Sequence, residues 1–523
     1  MWFSGARRPR GPSLASGRRS ARRRACRRRR PESSGVGRRG RGRRLWVALA
    51  VPLLAACAVG PRYRRPAVPT PETTRGQRGP ADPASLADSP WWGVFRDPAL
   101  QALVEEAIRG SHDLRAAAAR VEQARNQIAV ARADMFPQVS YQGQAVRERT
   151  FVPLPGATGN PTLNSFLGTF NLAWEIDVWG RIRRATEAAR ADYLAAEAAR
   201  RGVLLTLVSD VAQAYFELLE LDRELEITQG TTITFQDTLD LFRRRYAGGI
   251  GTLLEVSRAS AALTQARAGI PELERQIVAK ENQLSILLGR PPSDIARRKP
   301  LDGESPPPEV PVGLPSQLLE RRPDIQQAEQ AVVAANADVG VAVANFFPRL
   351  GLTGLYGGQS SELENVVKSA GNVWAIGGSL AGPLFQGGRL LASYRATSAA
   401  WDEAVERYQQ ATLQAFAEVS NALVTHQKLK GVHADRDETT KALQTSVALS
   451  LQRYNDGVAN YFEVLEAEQQ LFPAELDLAR TQRDELVAVV TLYRALGGGW
   501  RLDVPGWSAA PDRSAAREKP SGE

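Results

Sequence analysis

Few residues in this chain are of the types that hold metals or act as nucleophiles. Three histidines, two cysteines and two methionines occur in 523 residues. His426 and His433 stand seven apart and can share one helix face, while His112 lies far from both. Two imidazoles without further ligands make a poor metal site, because zinc takes three or four protein ligands. Gly248-Gly249-Ile250-Gly251 lacks both the spacing and the lysine of a phosphate loop. Two methionines cannot line a copper path. The residues support neither an enzyme nor a bound cofactor or metal.

The one thiol in a defined chemical context is Cys57. Arg41, Arg43 and Arg44 precede an apolar run from Leu45 to Ala56, which suits an export signal and is too short to span a bilayer. The run closes on Leu54-Ala55-Ala56-Cys57, which resembles a lipoprotein box. Cleavage would make Cys57 the first residue, and its thiol would take a diacylglycerol. Aspartate in the next position would resemble an inner-membrane retention signal; Ala58 favours the outer membrane. Cys26 lies in the leader, so the mature chain keeps Cys57 alone, which excludes disulfides, thiol catalysis and cysteine metal clusters. The leader also carries the charge. The whole chain is +10, but residues 1–56 hold 17 Arg and one Glu, leaving 50 basic against 56 acidic residues, or −6, beyond them. No basic surface for nucleic acid is therefore expected. The first 35 residues are long and basic for a signal, and translation from Val36 is the expectation. Peptides from Pro9–Arg30 in an export-blocked precursor would refute it.

The elements behind these residues are unusual. No proline occurs between Pro161 and Pro271, and Ala, Leu, Glu and Arg dominate Arg181–Tyr246, so helix propensity is high throughout. Leu204, Val208, Val211, Tyr215, Leu218 and Leu225 follow four- and three-residue steps, with Asp222 the one interruption of a coiled-coil-like stripe. At ~1.5 Å per residue such a helix reaches roughly 100 Å, far beyond an ordinary globular helix. A second long helix is predicted over Arg389–Tyr454, in the proline-free run between Pro383 and Pro473. Between Ala58 and Pro90 the chain is proline-rich and extended, and Trp91-Trp92 are expected to dock it.

A helical pattern from Pro98 to about Ala133 stops at Phe136-Pro137. The period then becomes two. Val139, Tyr141, Gly143 and Ala145 alternate with Gln138, Ser140, Gln142 and Gln144; a loop is predicted over Pro153–Asn164. In the next strand Phe166, Phe170, Leu172, Trp174 and Ile176 oppose Thr169, Asn171, Glu175 and Asp177. One apolar and one polar face suits a sheet on a core or a membrane barrel wall. After the long helix, Gly248-Gly249 turn the chain, and a return helix runs from about Thr252 to Leu288.

The pattern then repeats. Asp113, Phe136 and Pro137 match Asp324, Phe347 and Pro348 at a spacing of 211; Gly180, Tyr246, Gly249 and Leu288 match Gly388, Tyr454, Gly457 and Leu496 at 208. The chain is a tandem duplication of helix, β-hairpin, long helix and return helix. The second hairpin is predicted as Arg349–Gly358 with Asn372–Gly382, with Leu350, Leu352, Tyr356, Trp374, Ile376 and Leu380 on one face. Four strands cannot close a membrane barrel, which takes eight or more, so several chains must share one. Ala188, Ala189, Ala195, Ala196, Ala198 and Ala199 allow close helix contact or simply favour helix. Phe136, Trp174, Trp179, Phe346, Phe347, Trp374 and Phe385 gather at the strand–helix junctions, as a membrane-interface girdle or a packed collar.

Cys57-Ala-Val-Gly-Pro-Arg-Tyr63, Trp91-Trp-Gly-Val-Phe-Arg-Asp-Pro98, Trp174-Glu-Ile-Asp-Val-Trp-Gly-Arg181, Arg321-Arg-Pro-Asp-Ile325, Phe346-Phe-Pro348 and Leu384-Phe-Gln-Gly-Gly-Arg389 together resemble the TolC-like outer-membrane channels of tripartite efflux pumps, in their lipoprotein branch. The resemblance covers about Cys57 to Trp500. It implies an α+β membrane protein: a homotrimer whose 12-stranded outer-membrane β-barrel continues into a long periplasmic α-helical barrel. It also implies a periplasmic adaptor protein and an inner-membrane, proton-driven RND-type pump as partners.

By the same resemblance, Arg245-Tyr246-Ala-Gly-Gly249 and Arg453-Tyr454-Asn-Asp-Gly457 look like the periplasmic tip, where adaptors dock and the tunnel narrows. Phe462 and Glu466 look like its constriction, although the usual acid there is aspartate. Their repeat counterparts are Leu254 and Arg258, and Arg258 is expected to pair with Glu466 across facing helices and help hold the tip shut. Pro137, Pro348, Gly180 and Gly388 mark the strand–helix transitions. The expected organisation is a leader at 1–56, a lipid-anchored extended segment at 57–98, channel repeats at 99–290 and 316–500 joined by a Pro-rich linker at 291–315, and a disordered tail at 501–523. The resulting function is a passive outer-membrane export duct for small toxic compounds. Polypeptide secretion, metal efflux and a poreless coiled-coil scaffold are the alternatives.

Overall fold

The computed structural model describes residues 58–77, 85, 97–149, 162–304, 313 and 315–498. The chain divides into two units, 1–56 and 57–523, and the described residues all belong to the second. The expectations for the leader, Cys57, Trp91-Trp92, most of the loop from Pro153 and the tail at 501–523 lie outside them.

Helix α1 (Pro98–Gly110) and α2 (His112–Ala133) lead into β1 (Gln138–Arg149) and β2 (Thr162–Ile176). The long α3 (Arg181–Ala247) and its return helix α4 (Leu253–Leu288) complete the first repeat. The second comprises the one-turn α5 (Leu318–Arg321), α6 (Pro323–Ala344), β3 (Arg349–Ser360), β4 (Asn372–Ala381), α7 (Arg389–Asn455) and α8 (Tyr461–Ala495). Both long helices have 67 residues. Two boundaries differ from the sequence reading. The first helix breaks at Ser111, whose side chain caps α2 by accepting from Leu114 N, because a hydroxyl at that position satisfies a free amide at the new helix start. The predicted loop ends earlier, since Thr162, Leu163 and Asn164 already pair with Arg149, Glu148 and Arg147.

The four strands form one antiparallel sheet in the order β1-β2-β3-β4. The helices follow that order. Beside the sheet, α2 packs on α3, α3 on α6 and α6 on α7; towards the far end α4 packs on α3, α3 on α8 and α8 on α7. Among the described residues, the protomer is thus a wall of four strands and packed helices whose β1 and β4 edges have no strand partner. The predicted stripe on α3 is buried at Leu204, Val208, Val211, Tyr215 and Leu218, in a core shared with α1, α4, α7 and α8. Asp222 interrupts it at a cost that Arg297, just beyond α4, partly offsets by holding both carboxylate oxygens at 2.7 and 3.1 Å; burial still raises the carboxyl pKa. α3 packs on α6, and both carry buried small residues: Ala188, Ala189 and Ala198 on α3, and Ala334, Ala337, Gly340 and Ala342 on α6.

Candidate functional site

The sheet places its large apolar residues on one face. Tyr141 pairs with Phe170, Phe170 with Tyr356 and Tyr356 with Trp374, so four aromatics stand in one row across all four strands. Nearer the helices follow Val139, Leu172 and Ile376, then Trp174 with Leu352, then Ile176, Leu350 and Leu380. Most of these side chains lie open, Tyr141 85% and Trp374 70% exposed, while Trp174 and Leu350 are half-buried. The opposite face carries Gln138, Ser140, Gln142, Thr169, Asn171 and Thr353. An exposed apolar band with an aromatic row, backed by a polar face, is the arrangement of a membrane barrel wall. The exposed faces show why β propensity alone did not determine it: each strand alternates, but only the register aligns the aromatics.

At the junction of strands and helices the collar is packed. Trp179 stacks on Phe347 (centroids 4.7 Å, planes 23° apart) and its indole N–H donates to Pro348 O at 2.8 Å. Trp174 donates to Met135 O at 2.9 Å, and Phe346 meets the edge of Tyr394. Phe136 and Phe385 remain exposed, and Trp374, expected here, lies instead near the hairpin-loop end of β4, away from the junction, because the register pairs it with Tyr356. Gly180 and Gly388 begin the long helices with φ of +81° and +82°, a left-handed conformation that side chains resist. Asp177 stands in for the missing cap on α3, accepting from Ile182 N and Arg183 N at 3.1 and 3.0 Å. The chain just after Cys57 is fastened here too. Val59 N donates to Trp179 O at 3.0 Å, and Arg184 donates to Pro61 O at 3.0 Å. Farther along, Tyr63 and Arg65 both reach Glu329, and Ser420 and Gln427 on α7 bond the Arg75 and Gly76 carbonyls. Residues 58–77 are a strap from the junction along α6 and α7.

At the opposite end both long helices finish alike. Ile250 N donates to Arg245 O at 3.0 Å and Val458 N to Arg453 O at 3.1 Å, with Gly249 and Gly457 both at φ +75°. This is the six-to-one bond of a glycine-terminated helix. Thr252 and Glu255 form a capping box on α4, and Asn460 caps α8. Between the two turns runs an aromatic column. The Arg245 guanidinium donates to Tyr454 Oη at 2.6 Å; Tyr454 meets Tyr461 edge-on at 4.8 Å; Tyr461 meets Phe242 edge-on at 5.0 Å and shares a 2.6 Å hydroxyl bond with Thr238. The first repeat is thereby tied to the second. Tyr246, Phe462 and Glu466 are exposed at this end.

The expected pairing of Arg258 with Glu466 does not occur within the protomer. Arg258 instead lies over the Phe462 ring, 5.0 Å from its centroid. A ring face draws the cation at the cost of little desolvation, and a single turn of α8 separates Phe462 from Glu466 on the same surface. Sequence reasoning placed Arg245 in the tip motif but not its partner, and missed Thr238, Phe242 and Tyr461. One signal was available in the repeat: Tyr461 stands where the first copy has Leu253, so only the second turn supplies an aromatic at that position. Glu468 was missed as well. It is half-buried on α8, its Oε2 has no partner, and burial pushes its carboxyl up to about 7. His433 Nδ1 lies 2.7 Å from Glu485, and burial lowers the pKa of His426. Among the described residues no three acids, histidines or cysteines converge as metal ligands.

A wall of membrane-type strands continuing into helices of 67 residues defines one class of object, the protomer of an outer-membrane channel with a helical tunnel below it. The outer membrane efflux protein family profile matches residues 103–290 and 314–498, so the chain belongs to that family. It is 33% identical over 464 residues to a toluene efflux pump outer membrane protein, TtgC, of Pseudomonas putida, covering 87% of this chain and 95% of the relative. The cation efflux system protein CusC of Escherichia coli is 32% identical over 461 residues, covering 87% and 98%. The solved outer-membrane channel OprN superposes with a TM-score of 0.79 at 31% identity, over 85% of this chain and 100% of that one. The fold is accordingly that of the trimeric outer-membrane efflux channels, and the protein is the outer-membrane component of an efflux system.

Proposed function

We propose that three copies close into one passive duct that carries small toxic organic compounds outward, with energy supplied by an inner-membrane RND-type pump through a periplasmic adaptor. The observation that supports this most is the sheet itself. Its apolar and polar faces are continuous over four strands while both edges are unpaired, and twelve strands satisfy a barrel that four cannot. One relative's name specifies toluene and another's a cation, so the selective step belongs to the pump and not to a wide duct. The turns at Tyr246–Gly249 and Tyr454–Gly457 are the docking tip, and Phe462, Glu466, Arg258 and Tyr454 are its gate. The strap from Val59 holds the chain at the membrane-side junction, where a diacylglycerol on Cys57 would reach the inner leaflet. In this reading 57–98 is the anchored segment, and 99–290 and 316–500 are the two channel repeats. Purified protein should migrate as a heat-modifiable trimer and give discrete single-channel conductance in planar bilayers. Trimer without conductance would support the scaffold alternative and reject the duct.

A further inference from the structure

The apolar face of the sheet is not equally tall on every strand. On β2 it runs from Ile176 to Phe166, ten residues, or about 26 Å along the membrane normal at a strand tilt of ~40°. That matches the apolar band of an outer-membrane barrel, about 25 Å. On β3 the large apolar side chains of this face run only from Leu350 to Tyr356, and on β4 from Leu380 to Trp374, each about 16 Å by the same measure. One row beyond the aromatics, Gly143, Gly168, Gly358 and Asn372 stand opposite one another. In the next row Ala145 and Phe166 continue the face, but β3 supplies Ser360. The outer end of the second hairpin therefore falls about 10 Å short of the band.

The loop between β3 and β4 covers that gap. Its two single helical turns, Leu363–Asn365 and Ser369–Gly371, fold back against β3. Side chains two apart in a strand share a face, so a Cβ on Gly358 would stand on the side of Tyr356, and one on Gly168 on the side of Phe170. Both would meet Val366. The first would collide with the Val366 carbonyl, and the second would lie 3.6 Å from Val366 Cγ1. Two strands thus place the loop on the apolar face, and the bare glycines let it lie there. Val366 is turned in, while Val367 and Leu363 stand 92% and 68% exposed. The amides of Asn365, Val366, Lys368 and Gly371 donate to carbonyls within the loop, and Lys368 pairs with Glu364 at 3.0 Å. Backbone donors satisfied in this way do not depend on water.

We propose that this loop is a membrane element. Val367 and Leu363 seat among lipid acyl chains at the boundary of the outer leaflet and complete the band over the second hairpin, with Glu362, Glu364 and Lys368 in the headgroup layer. The occupant follows from continuity: the loop lies on the same face as the membrane surface of β2, at the level of Gly168 and Phe166. The proposal rests on the membrane-wall reading of the sheet.

Spin labels on single introduced cysteines test this in the protein reconstituted into vesicles of phospholipid and lipopolysaccharide, with the unsubstituted protein as the blank for Cys57. Oxygen concentrates among acyl chains and a nickel chelate stays in water, so the ratio of collisions with the two reads depth. Ile376→Cys, exposed on the apolar face, is the lipid standard; Asp456→Cys, exposed at the far helix turn, is the water standard. Labels at Val367→Cys and Leu363→Cys should give ratios several-fold above the Asp456 value. Adding Gly358→Ala, whose Cβ displaces Val366, should bring the ratio at position 367 down towards the water standard. Adding Gly143→Ala, whose Cβ meets nothing within 4 Å, should leave it unchanged. Ratios at 367 and 363 equal to that at 456 overturn the proposal and return the loop to water. Labels shielded from both reagents overturn it as well and give the loop a protein cover from a neighbouring copy. A water-like ratio at Ile376→Cys removes the membrane-wall reading, and this proposal with it.

Discussion

Glu468→Gln separates the effect of a buried charge from that of shape. The Glu468 carboxyl has no hydrogen-bond partner at Oε2 and no facing cation; burial alone raises it from 4.5 to about 7. At 1.36 kcal/mol per unit, full retention of that shift amounts to ~3 kcal/mol per protomer. The side chain is only half-buried, and water reduces the figure to about 1–2 kcal/mol. The sign follows from linkage. A carboxyl whose pKa is raised on folding opposes folding only when ionised, so the penalty is absent below about pH 4.5, grows as the pH rises and is complete above about 7. Glutamine keeps the shape and cannot ionise. The variant trimer should therefore survive a few degrees further at pH 8 than the parent and match it at pH 4.5, in heat-modifiability or thermal unfolding in detergent. The same charge favours any movement that wets this end of α8, so the parent tip should loosen as pH rises. Equal offsets at both pH values, or a variant less stable at pH 8, would refute the reasoning.

Three further outcomes follow from the geometry. Tyr454→Phe removes the hydroxyl that accepts from Arg245 while keeping the ring against Tyr461, at a cost of about 1.5–3 kcal/mol for a bond to a charged group; bilayer conductance of the closed channel should rise, and unchanged leak would dismiss this contact as part of the gate. Arg322→Ala leaves the Ala495 carbonyl and the Asp324 and Glu418 carboxylates without their shared donor; the buried position predicts a loss of about 3 kcal/mol, read as a lower unfolding midpoint. Gly180→Ala and Gly388→Ala meet the same left-handed strain, but only the former drives a Cβ to 2.8 Å from Ala58. Trypsin should release the strap at Arg62–Arg65 faster from the Gly180 variant than from the Gly388 variant; equal release would show that the strap does not depend on this contact.

Much of the architecture was legible because two periodicities write themselves into composition. The 3.6-residue period with no proline marked both long helices to within a residue of their ends, and the two-residue period marked the faces of all four strands. Gly249 and Gly457, and Gly180 and Gly388, stood at the ends of those patterns, where the backbone needs a conformation that other residues resist. Errors came where one local hydrogen bond outweighed the pattern. The Ser111 hydroxyl capped a new helix inside a continuous helical pattern, and the polar residues Thr162 and Asn164 joined a strand because β1 offered partners.

Amino-acid order by itself determined the duplication, the alternation of the strand faces and the need for more than one chain, since these depend on spacing along the polymer and on the count of strands. Only tertiary structure decided who meets whom. It joined β2 to β3, put Phe170 between Tyr141 and Tyr356, gave Arg245 to Tyr454 and turned Arg258 to the Phe462 ring in place of Glu466. Each such choice lies between groups up to two hundred residues apart. It is settled by helix crossing and strand register, which place side chains to within an ångström, while periodicity says only which way they point.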